Sequence, residues 1–211
     1  MGKGGIALAA ANPAAGPLIA GLIADLGRAG MRASAQSSAP SMKWSKLLAN
    51  LIANATGAIL DLDAAEIYRD RRLYEVERDQ FTEALAVMKA LGLRPVSLPG
   101  GPIPWLARGM RLPARLGRPI LSRIVGGARA GKSPSLRIHV SSAPVDGPSP
   151  EPTEVAWMNG AVARAGDRLG IATPVNARLA VLVDEVAADP ERRSWFRGHP
   201  ERLCAEMFGR R

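Results

Sequence analysis

The sequence predicts a mainly helical protein that begins with a short strand–helix–strand unit. Three observations carry that reading. Ala, Leu, Gly and Arg are abundant while aromatic residues make up only 4% of the chain, which suits helices packed through small side chains better than a sandwich rich in Val, Tyr and Trp. Apolar residues recur at helical spacing from Ser41 to Leu91 and again from Glu154 to Ala188, with Gly or Pro at the ends of the runs. Both runs with strand character lie before Ser38.

Taken in order, Gly5–Ala10 reads as a short buried strand, followed by a turn through Asn12-Pro13. A helix then starts near Pro17, where the missing amide hydrogen costs nothing. Leu18, Ile19, Leu22, Ile23 and Leu26 form its apolar stripe, Gly30 is placed to end it, and Met31–Ser37 is the next strand. A long helical region is predicted from Ser41, with Gly57 as a point of close approach, and a second helix from about Ala64 to Leu91, stopped by Gly92. The charge run Arg69–Arg78 reads as that helix's solvated face. From Pro95 to Pro134 the composition shifts to Pro, Gly and Arg, which predicts a long connection with one or two short helices. After the prolines at 144, 148, 150 and 152, helix is predicted from Glu154 to Ala165. A turn follows at Leu169–Pro174, then a last substantial helix at Val175–Ala188. No internal repeat is present.

Composition narrows the function classes. At 211 residues, with 47% hydrophobic and 22% charged residues, the chain can bury a sizeable core and is not a disordered one. Its net charge of +9 could suit a nucleic acid, but the arginines are scattered and even the densest set, Arg108, Arg111, Arg115, Arg118 and Arg123, lacks interleaved aromatics or a DNA-binding motif. A basic surface also suits a small anionic substrate. Gly4–Ala24 carries no charge, yet Asn12-Pro13 and Gly16-Pro17 interrupt it, unlike a signal peptide or a membrane span. Leu112–Val125 has the pattern of a basic amphipathic helix for a membrane surface, against which stand Pro113 and Pro119. Neither a nucleic acid nor a membrane is therefore the expected partner. Cys204 is the only cysteine, which excludes an internal disulfide or a CxxC metal site and fits a reducing cytoplasm. His139 and His199 are isolated, so no metal site is expected.

The chemistry concentrates in Trp44–Asn54. Lys46, Asn50 and Asn54 stand at i, i+4 and i+8, along one side of a continuous helix. The other sides are Leu, Leu, Leu and Ile, so the helix is expected to be buried. A buried ammonium is costly unless a carboxylate or a cavity compensates it, and is then poised for proton transfer. Periodicity alone leaves open the alternative of a lysine reaching the surface beside two packing asparagines.

A second set of short motifs follows: Ser142 with Asp146 four residues on, Thr153-Glu154, Asn159-Gly160, and Gly170 with Pro174 and Asn176. Together with Trp44, Lys46, Leu47, Asn50 and Asn54, and in this order, they resemble the C-terminal domain of ketopantoate reductase (2-dehydropantoate 2-reductase), over roughly residues 5–190. The resemblance implies a dinucleotide-binding Rossmann domain for NADPH followed by an all-helical domain of the 6-phosphogluconate-dehydrogenase-like type, with a small 2-oxo acid between them. It implies that Lys46 is the catalytic proton donor and stabilises the oxyanion, that Glu154 is the acid beside it, that Asn50 and Asn54 face the substrate and that Ser142 binds its carboxylate. Two departures concern the substrate: Pro150-Glu151 stand where the family has Gly-Arg, and Asp63-Ala64 where it has Asn-Gly.

The family's Gly-rich fingerprint lies far upstream of its lysine, whereas 45 residues precede Lys46 and Gly2-Lys3-Gly4-Gly5 leads into an apolar strand rather than a helix N-terminus that could hold a pyrophosphate. The expectation is thus a remnant of the NADPH domain at 1–38, its last strand–helix–strand, and a helical substrate domain at 39–211, with the Pro/Gly/Arg-rich connection at about 95–135. Its cofactor-binding residues remain unassigned. The chain alone is expected not to hold NADPH tightly and to be inactive, and to work with a separate NADPH-binding domain or as a homo-oligomer. The alternative is a non-catalytic helical interaction module derived from the enzyme.

Overall fold

A computed structural model describes residues 5–129, 135–142 and 153–209. It is helical but for two strands, β1 (Ile6–Ala9) and β2 (Ala33–Gln36), which pair in parallel with Ile6 opposite Ala33 and Ala9 opposite Gln36. Between them runs α1 (Gly16–Arg28). Asn12 starts this crossover by accepting a hydrogen bond from the Ala15 amide, and Gly30 closes it at φ 77°. The unit is laid out as its sequence predicts, but no residue of α1 is buried.

The body begins at Ser38, whose hydroxyl accepts from the Ser41 amide and caps α2 (Ala39–Leu51). The expected continuous helix through Asn54 does not form. The chain leaves helical geometry at Ile52, Ala53 adopts φ 52°, and α3 (Ala55–Leu60) starts afresh. Asp61, at φ 53°, and the capping box of Asp63 and Glu66 lead into α4 (Ala64–Arg69). The single helix predicted from Ala64 to Leu91 is likewise two, because Asp70 is extended and caps α5 (Arg71–Ala90) by accepting from the Arg72 and Leu73 amides. Gly92 follows at φ 70°. The charge run on α5 is not a purely solvated face, since Glu77 is 1% exposed.

The stretch read as a connection is mostly helix, α6 (Ile103–Arg111) and α7 (Ala114–Arg129). Pro104 falls in the first turn of α6 and Pro113 directly precedes α7, where a missing amide is harmless. Pro119 is carried inside α7 on its exposed side. Gly117 is buried because α7 lies against Tyr74 and the Gly109 carbonyl. After α8 (Ser135–Ser142) come a 3-10 turn at Glu154–Trp157, α9 (Asn159–Leu169) and α10 (Pro174–Ala188). Two more helices then follow the one expected to be last, α11 (Pro190–Phe196) and α12 (Pro200–Phe208). One core joins all of this, with Leu48, Tyr68, Tyr74, Phe81, Met110, Leu182 and Phe196 inaccessible or nearly so. The N-terminal unit contributes nothing to it. Among the described residues no helix is long and apolar enough to cross a membrane.

Candidate functional site

Helix α2 turns its buried side, Ser41, Ser45 and Leu48, to the core. The two serines are satisfied there by backbone, the Val96 amide donating to Ser45 Oγ at 2.8 Å and the Arg94 amide to Ser41 Oγ at 3.5 Å. The opposite side carries Lys43, Lys46 and Asn50. Lys46 is therefore exposed, not buried as its apolar neighbours predict, and Asn50 is half-buried one turn below it. Two lysines and an amide on an open helix face can receive a small anion.

Asn54 lies past the break and is buried. Its side-chain oxygen accepts from the Leu136 amide at 3.1 Å, and its nitrogen lies 3.3 Å from Met158 Sδ. It thus satisfies one of the open amides at the start of α8 and ties that helix to the segment entering α9. Arg137, next along α8, donates to the Asp61 carboxylate at 3.0 Å and to the Asp61 carbonyl at 3.1 Å. Glu154, exposed, accepts from Ser135 Oγ at 3.1 Å. Its neighbour Thr153 donates to Asp184 on α10 at 2.9 Å. Asn54, the first turn of α8 and Glu154 therefore meet, although some 80 to 100 residues separate them in sequence. Lys46 and Glu154 form no ion pair with each other. Ser142 ends α8, but its side chain, like Asp146, lies outside the described residues.

Beneath this arrangement runs a buried polar chain that the sequence reading missed. The Glu77 carboxylate accepts from the Ala53 amide at 2.8 Å, from Thr56 Oγ1 at 2.7 Å and from Gln80 Nε2 at 2.9 Å. It holds the left-handed turn that separates Asn50 from Asn54. Gln80 also donates to the Leu51 carbonyl at 3.3 Å and accepts from Asn159 at 2.8 Å. Asn159 donates to Asn176 at 3.0 Å, and Asn176 donates to the Gln80 carbonyl and to Glu83. Glu83 caps α10 by accepting from the Val175 and Asn176 amides, each at 2.9 Å. Burial raises the Glu83 carboxyl above its ordinary value, against the lowering effect of these donors. Asn159 and Asn176 belong to the short motifs of the sequence, and the structure gives them an internal, positioning part. The one signal that could have found Glu77 was its place on the same side of a helix as Leu73, Gln80 and Phe81.

The turn that follows β1 does not fit a pyrophosphate. The turn after β1 is Ala10-Ala11-Asn12-Pro13, without the glycines that let backbone approach a pyrophosphate. The Asn12 side-chain oxygen is already spent on the Ala15 amide, and Pro13 and Pro17 remove two amides where an anion would need donors. Among the described residues no group of His, Cys, Asp and Glu could hold a metal ion.

Residues 40–187 match the family described as ketopantoate reductase PanE/ApbA C terminal. Among solved structures, the chain is similar to a PanE/ApbA family ketopantoate reductase from Ralstonia eutropha JMP134, with 22% identity, TM-score 0.64, and coverage of 90% of this chain and 53% of that one. It is also similar to D-mandelate dehydrogenase in a ternary structure with NADH and anilino(oxo)acetate, with 18% identity, TM-score 0.64, and coverage of 93% and 69%. These likenesses establish the fold. The chain spans about half the length of the ketopantoate reductase it matches. No curated protein matches it.

Proposed function

Because the chain belongs to the ketopantoate reductase family, matching its C-terminal domain over residues 40–187, we propose that it forms the substrate-holding and proton-donating half of a 2-oxo acid reductase acting on 2-dehydropantoate or a related acid. The observation that supports this reading is the convergence of Asn54, the first turn of α8 and Glu154; Lys46 and Asn50 stand on the side of α2 turned away from the core. Lys46 donates a proton to the ketone oxygen as it becomes a hydroxyl, and its charge stabilises that oxygen beforehand. Asn50 orients the substrate, Asn54 holds α8 in place, and Ser142 at the end of α8 binds the carboxylate. Glu154 supplies negative charge near the lysine. An NADPH-binding unit outside the described residues holds the reductant, and residues 1–38 are the edge through which 39–211 joins it.

The second reading, a non-catalytic interaction module, draws on the exposed apolar residues of α1, where Leu18 is 74% and Leu22 45% exposed. One experiment separates the two. The chain is assayed for 2-oxo acid reduction together with a family NADPH-binding domain, covalently joined or added in trans. Lys46→Ala is expected to lower turnover by roughly 100-fold or more, and Asn50→Ala to act mainly on substrate affinity. An active assembly whose Lys46→Ala variant keeps normal turnover sinks the mechanism. A stable assembly without activity on any 2-oxo acid favours the module.

A further inference from the structure

From Ala84 to Val145 the sequence contains ten Lys and Arg and no Asp or Glu. All 19 acidic residues of the chain lie outside this stretch, and of its cations Arg137 is paired with Asp61. Helices α6 and α7 occupy its middle. Their inner sides are buried through Ile103, Ala107, Met110, Leu121 and Val125. Their outer sides mix arginines with large apolar residues, where the outer side of a surface helix is ordinarily polar throughout. On α7, Leu116, Ile120 and Ile124 are 54%, 52% and 52% exposed, and their spacing of four places them in one stripe. Leu112, in the turn between the helices, and Trp105 on α6 are exposed as well, Trp105 by 69%. Arg115 and Arg123 are exposed on the same helix as the stripe, and the Arg108 guanidinium lies 5.1 Å from the Trp105 ring centroid.

We propose that α6 and α7 form a docking surface for an anionic lipid bilayer, lying in its interface without crossing it. Charge complementarity selects an anionic occupant, since a second copy would bring the same acid-free stretch against itself. The exposed side chains select lipid among anionic occupants: a row of aliphatic residues enters the acyl boundary, a tryptophan suits the headgroup level, and arginines reach phosphates from both. Nucleic acid would call for several aromatic residues interleaved with the cations, and Trp105 is the single aromatic of α6 and α7. The prolines that argue against this helix in the sequence do not prevent it, because α7 runs unbroken from Ala114 to Arg129.

The test is flotation of the whole chain with vesicles of phosphatidylcholine alone and with vesicles containing about one third phosphatidylglycerol. Binding is expected to the second kind only and to weaken with salt. A double variant, Ile120→Glu with Ile124→Glu, is expected to lower the partition coefficient about tenfold or more. Both side chains are half exposed, so thermal unfolding should match the parent. A second variant, Arg115→Glu with Arg123→Glu, is expected to fail in the same way. The control, Leu18→Glu with Leu22→Glu on the exposed face of α1, is expected to bind as the parent does. Absence of binding to anionic vesicles overturns the proposal. So does equal binding by the Ile120/Ile124 variant, which would reduce the effect to charge alone. Equal loss in the α1 control would show general stickiness, and a parent dimer that the Ile120/Ile124 variant dissociates, without vesicle binding, would make this face an interface between copies.

Discussion

At the scale of single residues, the site depends on a side chain that touches nothing outside the protein. Glu77 accepts from a backbone amide, a hydroxyl and a side-chain amide and fixes Ala53 at φ 52°, a conformation that L residues other than Asn and Asp seldom adopt. Replacing Glu77 by Leu strands those donors in the core, which is expected to cost on the order of 3 kcal/mol. Urea unfolding monitored by circular dichroism reads that cost. A loss below about 1 kcal/mol would mean that water reaches the turn and that the carboxylate does not hold it. The spacing of Lys46, Asn50 and Asn54 was legible in the sequence, but the break between the last two was not. Nothing local forbids helix at Ile52-Ala53. The carboxylate that captures the Ala53 amide stands 24 residues away, so a long-range contact decides a local conformation. The same applies to Lys46, whose apolar neighbours suggested burial because periodicity counts Leu47 and Leu51 but not which side of α2 meets the core.

At the scale of elements, Pro and Gly misled wherever they serve packing or helix starts instead of breaks. Pro104 and Pro113 begin helices, and glycines let α6 and α7 approach. A Cβ at Gly117 would stand 2.6 Å from the Tyr74 hydroxyl and 2.8 Å from the Gly109 carbonyl, whereas one at Gly127 would meet nothing within 4 Å. Gly117→Ala is therefore expected to destabilise by about 1–3 kcal/mol, and Gly127→Ala to stabilise by about 0.5–1 kcal/mol through its better helix propensity. Thermal melts of the pair decide it, and equal melting temperatures would mean that α7 does not pack this closely. Capping was more legible: Gly30 and Gly92 stand at positive φ at the helix ends their positions suggested, and Gly170, read as part of a turn, caps α9 at positive φ. The closing helices α11 and α12 escaped notice because the pieces are short. They are held by Arg178 and Arg192, which share Glu185 and Glu206 across α10, α11 and α12. The hydrogen bond from Arg178, with Arg192 beside it, lowers the Glu206 carboxyl from its ordinary value of 4.5. A lowered acid gives stability above its unfolded value that is lost as pH falls through the folded one. Glu83, raised by burial, has the opposite sign, its contribution being fullest below its unfolded value and lost as pH rises. On acidification below about pH 4.5, α12 should loosen while the cap on α10 holds. Hydrogen exchange across that range checks this, and Glu206→Gln should reduce the pH dependence at α12, leaving the part due to Glu201, whose carboxyl is lowered as well.

At the scale of the whole molecule, the chain divides by burial more sharply than by secondary structure. From β1 to β2 the layout followed from sequence because it is local, a strand, a capped helix and a strand within 31 residues. What sequence could not reveal is how little holds it. No residue from Gly5 to Gln36 is fully buried, and a two-stranded parallel sheet leaves an open edge on each side, whereas parallel sheets are ordinarily covered on both faces. Its ties to the body include the Gln36 side chain donating to the Ser97 carbonyl at 3.2 Å. Segments with few buried apolar contacts open at low free energy, independently of global unfolding. Amides of β1, α1 and β2 should therefore exchange with solvent at least about 100-fold faster than those of α5, whose Leu73, Tyr74, Val76, Gln80 and Phe81 are inaccessible or nearly so. Mass spectrometry of deuterium uptake at neutral pH tests this. Adding the nucleotide-binding unit proposed to cover this edge should slow exchange in β1, α1 and β2 and leave α5 unchanged, because the core is already complete without it. Equal protection of the two regions in the chain alone would show that the N-terminal unit is held by contacts as strong as those of the core, and would remove the physical reason for expecting a covering partner there.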